Sequence, residues 1–166
     1  GERVYGYLPM ASHLRVEPGN ISAGSFSDMA AHRQPMSPIY NQYRRLANDP
    51  AHDPDREAQR MIFQPLFGTS FLIEAMFAKE AWFGANTLVM TSASSKTALA
   101  LAHVARAKAP QVRRIGLTSA GNTDFVVSCG LYDEVLAYNE IEKLAGRQAV
   151  SVDFAGNASV LRAVHE

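Results

Sequence analysis

The chain has 166 residues, 47% of them apolar and 19% charged, which is enough apolar surface to form a packed core and makes bulk disorder an unsuitable description. Sixteen basic side chains offset sixteen acidic ones, removing the long-range field that would draw in nucleic acid or an anionic membrane, so neither is expected as a partner. A single cysteine, Cys129, excludes an internal disulfide and a multi-cysteine zinc site, and a reducing, cytoplasmic setting is expected.

The first residues, Gly1-Glu2-Arg3-Val4-Tyr5, read as the middle of a strand and lack the layout of a signal peptide. The last, Val164-His165-Glu166, fall inside a helical pattern, so both ends are expected to continue in a longer protein. No uninterrupted apolar run approaches the ~20 residues of a membrane-spanning helix.

Composition divides the chain near residue 60 into a β-rich part, 1–60, and an alternating part, 61–166. In the first, residues 3–8 and 13–17 have strand character, and Pro18-Gly19-Asn20 marks a turn. Residues 37–55 are rich in Pro, Asn and Asp and predict a connecting loop around a short helix at 39–46. Helical patterns follow at 56–63 and 66–79, separated by Pro65, the second with an aromatic face of Phe67, Phe71 and Phe77.

From residue 87 short apolar runs alternate with helical segments, the pattern of βαβ units and a mainly parallel sheet. Strands are predicted at 87–91, 114–118, 134–138 and 149–154. Helices are predicted at 95–107, at 122–129 closed by Gly130, and from Asn157 onward through Leu161 and Val164.

The run Thr91-Ser92-Ala93-Ser94-Ser95-Lys96-Thr97-Ala98 joins the first of these strands to its helix. A helix N-terminus presents unpaired N–H groups and partial positive charge, so small side chains ahead of it admit a phosphate. Hydroxyls of Ser92, Ser94, Ser95 and Thr97 would donate to phosphate oxygens, and Lys96 would add a full charge. The plainer alternative is a serine-capped helix with Lys96 in solvent. A P-loop is not predicted, because Met90 stands where its upstream glycine is needed.

The second strand ends in Thr118-Ser119-Ala120-Gly121-Asn122 without the acidic residue that binds the ribose hydroxyls of NAD, which favours NADP(H), with Thr118, Ser119 and Asn122 as donors to a 2′-phosphate. Asn157, after the fourth strand, either contacts cofactor or caps the last helix. His13, His32, His52, His103 and His165 show no metal-ligand spacing, so no metal is predicted.

The segment 92–98, aligned through Val104-Ala105-Arg106-Ala107, resembles the medium-chain dehydrogenase/reductase superfamily, specifically its zinc-independent, quinone-oxidoreductase-like branch. It looks closest to an uncharacterised branch that carries Ser-Ala-Ser-Ser-Lys-Thr-Ala in the dinucleotide loop. Ser92, Ser95 and Ala98 fall at the superfamily's glycine positions. Residues 1–6 resemble a late strand of a barrel-like substrate domain, and 65–71 the helix that enters the cofactor domain.

The resemblance implies an α/β protein, a partial Rossmann-like parallel sheet with helices preceded by a β-rich remnant of a barrel-like substrate domain. It implies an NADP(H)-dependent oxidoreductase that reduces a small carbonyl, enone or quinone-like substrate, with a homodimer as the assembly and Tyr138 near the 2′-phosphate. Tyr40 and Tyr43, in a Tyr-Asn-x-Tyr pattern similar to that branch, are the candidate proton donors, with Arg44 as an anion anchor. The alternative is a catalytically inactive nucleotide-binding or redox-sensing module of the same fold.

Overall fold

In the computed structural model, which describes residues 1–166, side chains at 42–44 alternate between exposed and buried, a period of two that makes the segment a strand. The chain forms two compact units, Gly1–Met61 and Ile62–Glu166. The first holds four short strands, β1 (Val4–Tyr5), β2 (Pro18–Gly19), β3 (Ser25–Asp28) and β4 (Gln42–Arg45), in an antiparallel sheet of order β1-β4-β3-β2. Pro18, which has no N–H to give to a ladder, falls on the edge strand.

This unit departs from the sequence reading. The helix expected at 39–46 is a 3-10 turn at Pro38–Asn41 followed by β4, and residues 13–17 are irregular, with β3 standing where no strand was predicted. Two buried side chains account for the difference. Tyr43 is 1% exposed and stacks on Phe26, its cross-strand partner, at 5.2 Å between ring centroids. Asp28, also buried, accepts from the backbone N–H groups of Glu17 and Ala30 at 3.0 Å and faces Arg33 Nε at 3.4 Å. Burial alone would raise its pKa, but those two N–H donors and the guanidinium hold the carboxyl below its ordinary value.

In the second unit, α1 (Glu57–Lys79), which begins at the end of the first, runs through Pro65 rather than stopping there. Proline removes one backbone donor and crowds the preceding turn, yet packing on a single face outweighs that local cost. Ser70, Glu74 and Phe77 are buried on that face. The Ser70 hydroxyl lies within hydrogen-bond distance of the Leu66 carbonyl at 3.1 Å and the Thr97 carbonyl at 2.8 Å, and Lys108 Nζ meets Glu74 Oε2 at 3.0 Å. Because it is continuous, the helix from Pro54 to Lys79, mean hydropathy 1.4 in its most apolar window, is long and apolar enough to cross a bilayer by length and composition, which the sequence reading, with its break at Pro65, did not anticipate.

Four residues in left-handed conformation, Ala81, Trp82, Phe83 and Gly84, then turn the chain toward the sheet. Trp82 is buried and packs on Phe77 with ring centroids 5.4 Å apart.

The sheet comprises β5 (Thr87–Met90), β6 (Arg113–Thr118), β7 (Glu134–Ala137) and β8 (Ala149–Val152), all parallel, in the order β7-β6-β5-β8. All four residues of β5 are buried, as a strand covered on both faces requires. Leu88 and Met90 join Phe77, Trp82, Leu101, Ala102 and Ala105 in one apolar cluster. Val89 joins Ile115, Leu117, Leu136, Ile141 and Val160 in another.

Three α-helices accompany the strands: α2 (Lys96–Lys108), α3 (Thr123–Ser128) and α4 (Ala158–His165). The small face of α2 predicted from spacing, Ala98, Leu101, Ala102 and Ala105, is fully enclosed. Between β7 and β8 the connection is a 3-10 segment, Tyr138–Leu144, rather than a full α-helix.

One close approach fixes this layer. A Cβ on Gly116 of β6 would lie 2.8 Å from the Ala93 Cβ and 3.0 Å from the Tyr132 ring, so neither neighbour tolerates a side chain there. Gly116→Ala is expected to lower folding stability by about 1 to 3 kcal/mol through overpacking, measured as a reduced urea midpoint at an unchanged m-value. A midpoint equal to that of the parent chain would show that the loop above β6 has room to move.

Candidate functional site

The C-terminal ends of β5, β6, β7 and β8 lie along one edge of the parallel sheet. The chain passes from β5 outward to β6 and β7, then returns to β8 on the other side of β5. This reversal makes the β5 end a topological switch point, where loops leave in opposite directions and where open α/β sheets take their ligands.

Ser92, immediately after β5, has φ 49°, a left-handed conformation that disfavours a side chain. It opens a tight turn in which the Ser95 N–H donates to the Ser92 carbonyl at 2.7 Å. Ala93 then points into the core: its N–H donates to the Leu117 carbonyl at 2.9 Å, and its own carbonyl accepts from the Tyr132 hydroxyl at 2.9 Å. Burial pushes that phenol's pKa upward, so it remains a donor.

Ser95 is the N-cap of α2, its hydroxyl oxygen accepting from the Ala98 N–H at 3.3 Å. Lys96 is exposed on the first turn, and Thr97 follows it, half-buried. The backbone N–H groups of Lys96 and Thr97 occupy the first-turn positions that have no preceding helical carbonyl. The capping alternative for Ser95 therefore holds, alongside two open donors and a cation in solvent.

Two of the other predicted residues, Tyr138 and Asn122, reach this loop. Ser92 N–H donates to the Tyr138 hydroxyl at 2.9 Å, and Asn122 Nδ2 donates to Ser94 Oγ at 3.3 Å. Ser119 and Asn122 are exposed beyond β6, whereas Thr118 is buried, so its side chain faces the protein. Asn157 caps α4, accepting from the N–H groups of Ser159 and Val160 at 3.0 and 3.3 Å.

Tyr40 and Tyr43 belong to the first unit. Tyr40 packs edge-on against Tyr7 at 5.1 Å, and Tyr43 is a core side chain whose hydroxyl has no hydrogen-bond partner and whose pKa burial raises. That unit also holds a cavity of about 90 Å³, lined in part by Tyr5, Leu46, His52 and Met61. Arg3 and His52 lie against Glu57 within its lining, Arg60 pairs with Asp49 outside it, and none of its lining belongs to the serine loop.

Two residues at the strand ends escaped sequence reasoning. Thr91, 1% exposed, donates through its hydroxyl to Asp153 Oδ1 at 2.5 Å, while its own Oγ1 accepts from the Phe154 and Ala155 N–H groups at 2.8 and 3.2 Å. Asp153 also accepts from the N–H groups of Ala155 and Gly156, each at 3.1 Å. The loop after β8 is thereby tied to the end of β5. The Thr91 hydroxyl first, then those two N–H donors, hold the Asp153 carboxyl below its ordinary pKa.

The fold and loop define a mixed α/β protein with a four-stranded parallel sheet flanked by helices and a polar rim at its switch point. The family model described as "Protein of unknown function (DUF2855)" matches residues 1–166, and the chain belongs to that family. Neither the curated proteins nor the solved structures give a match.

Thr91→Val, which keeps the shape and removes the hydroxyl, is expected to lower stability at pH 7 by about 1 to 3 kcal/mol, because two N–H donors and a carboxylate lose their partner. Since the Asp153 pKa is depressed in the folded state, its contribution is full above the unfolded value of about 3.9 and fades as pH falls through the lower, folded one. Carboxyl-carbon NMR should show the Asp153 titration moving up in the Val variant. An unchanged titration would mean that Thr91 does not set it.

Proposed function

We propose that residues 62–166 form a Rossmann-like dinucleotide-binding domain that takes NADP(H) across the ends of β5 and β6, and that the protein is an oxidoreductase of the medium-chain dehydrogenase/reductase type. The observation that carries the reading is the left-handed φ of Ser92 at the position where that superfamily has glycine. A backbone that keeps the glycine conformation after the glycine has been replaced retains the loop shape that brings a pyrophosphate to a helix N-terminus.

Other features support the same reading. The order β7-β6-β5-β8 corresponds to 3-2-1-4 within this unit, the order that surrounds the switch point of a doubly wound sheet. The β6 end bears Ser119 and Asn122 and no carboxylate, which suits a 2′-phosphate and repels none. Lys96, in solvent on the first turn of α2, supplies the charge that the helix dipole alone lacks. In this reading the short antiparallel strands of the first unit are the remnant of a barrel-like substrate domain, the substrate is a small carbonyl, enone or quinone-like molecule, and the protein is a cytoplasmic homodimer. Hydride transfer then rests on holding a nicotinamide against the acceptor.

A second reading, a nucleotide-binding or redox-sensing module without turnover, has one specific observation in its favour. Tyr43, one of the two candidate proton donors, is enclosed in the core of the first unit. Stereospecific consumption of NADPH by an enone or carbonyl separates the two readings, since only the oxidoreductase turns over.

Calorimetric titration with NADPH and NADH tests the shared core of both. NADPH is expected to bind in preference, and Lys96→Ala to weaken it by about 1 to 3 kcal/mol, the loss of one charge-assisted contact. Ser95→Ala, which uncaps α2, serves as a comparison for damage to the helix start alone. Absence of binding by either nucleotide overturns the proposal.

A further inference from the structure

Given the nucleotide reading above, the serine loop already has an occupant before ligand arrives. Tyr138 follows β7, whereas Ser92 follows β5, and β6 lies between them. Neighbouring strands are about 4.8 Å apart, so a hydroxyl 2.9 Å from the Ser92 N–H belongs to a ring that has crossed the C-terminal end of β6. That is the path the adenosine half of a dinucleotide takes toward the helix N-terminus.

The donors around the turn are unequally committed. The Ala93 N–H is given to the Leu117 carbonyl of β6, and the Ser95 and Ala98 N–H groups are given within the loop itself, to the Ser92 carbonyl and the Ser95 hydroxyl. The N–H of Ser92 is different: its partner is a single phenol oxygen carried on a side chain from the segment that follows β7. A phosphate oxygen offers the same acceptor geometry with negative charge, and charge-assisted bonds are roughly twice as strong as neutral ones.

We infer that the Tyr138 hydroxyl is a latch that stands in for a phosphate oxygen in the unliganded protein, and that nucleotide binding breaks its bond to Ser92 and swings the ring off the end of β6. Every nucleotide must displace the latch, whether or not it carries a 2′-phosphate, so the bond to Ser92 counts against binding.

Tyr138→Phe removes the one oxygen and preserves the ring. The latch predicts that this variant binds NADPH and NADH both more tightly, by about threefold to tenfold, the worth of one neutral hydrogen bond. It also predicts faster hydrogen exchange at the Ser92 amide in the unliganded variant and a shift of that amide in the parent chain on adding NADPH, both read by nitrogen-15 NMR. NADPH binding that weakens while NADH is unchanged would instead make Tyr138 a 2′-phosphate donor and overturn the latch. So would equal affinities in parent and variant, with the nucleotide reading left standing. If neither nucleotide binds the parent or the variant, the nucleotide reading itself fails and takes the latch with it.

Discussion

The second unit is organised around a contact in which a single hydrogen atom is the largest substituent that fits. Gly116 lies beneath Ala93 and beside Tyr132, and a methyl group at that position would approach both within 3.0 Å. With Ala93 seated on β6, its N–H and carbonyl are consumed by Leu117 and Tyr132, and the turn that follows has no freedom to rise from the sheet. The placement of α2, and with it the direction in which its first N–H groups point, follows from that seat. A helix whose small face, Ala98, Ala102 and Ala105, lies flush on the sheet then leaves its N-terminus at the strand ends rather than inside the protein.

On that seat the loop solves a problem usually given to glycine. Ser92 holds a left-handed backbone despite its side chain, at a cost of roughly 1 to 2 kcal/mol for an L-residue. Three hydrogen bonds offset it: the turn from Ser95, the cap from Ser95 to Ala98 and the phenol of Tyr138. Thr91, one residue earlier, secures the opposite side by fastening the loop after β8 through Asp153. The rim is therefore polar and tightly braced, yet the protein has no net charge, so any attraction for an anion is local, from amides and Lys96, rather than a property of the whole surface.

How much of this was legible depended on where the stabilising contacts lie in sequence. The stretch from 87 to 118 could be read because β5 is buried throughout, α2 has a serine cap and a small face at helical spacing, and each signal lies within a few residues of the structure it specifies. The role of Thr91 was not legible: its hydroxyl is defined by Asp153, 62 residues away, and a threonine at the end of an apolar strand gives no hint of that partner. In the first unit the strands run for two to four residues and are held by pairing between distant segments, so the local preference of 39–46 for a helix lost to the burial of Tyr43. At Pro65 the opposite occurred, with a correct local signal overridden by the buried face of α1.

The left-handed turn at Ala81, Trp82, Phe83 and Gly84 precedes β5, and the serine loop follows it. Three of those four residues carry side chains in a conformation they disfavour, so the larger share of backbone strain in this unit sits at the start of the strand and the smaller at its end. A strand of four residues separates them by roughly 13 Å, beyond the range at which substitutions usually couple. Side chains at the rim can therefore be exchanged without disturbing the anchoring turn, whose buried Trp82 goes on supporting the strand from below.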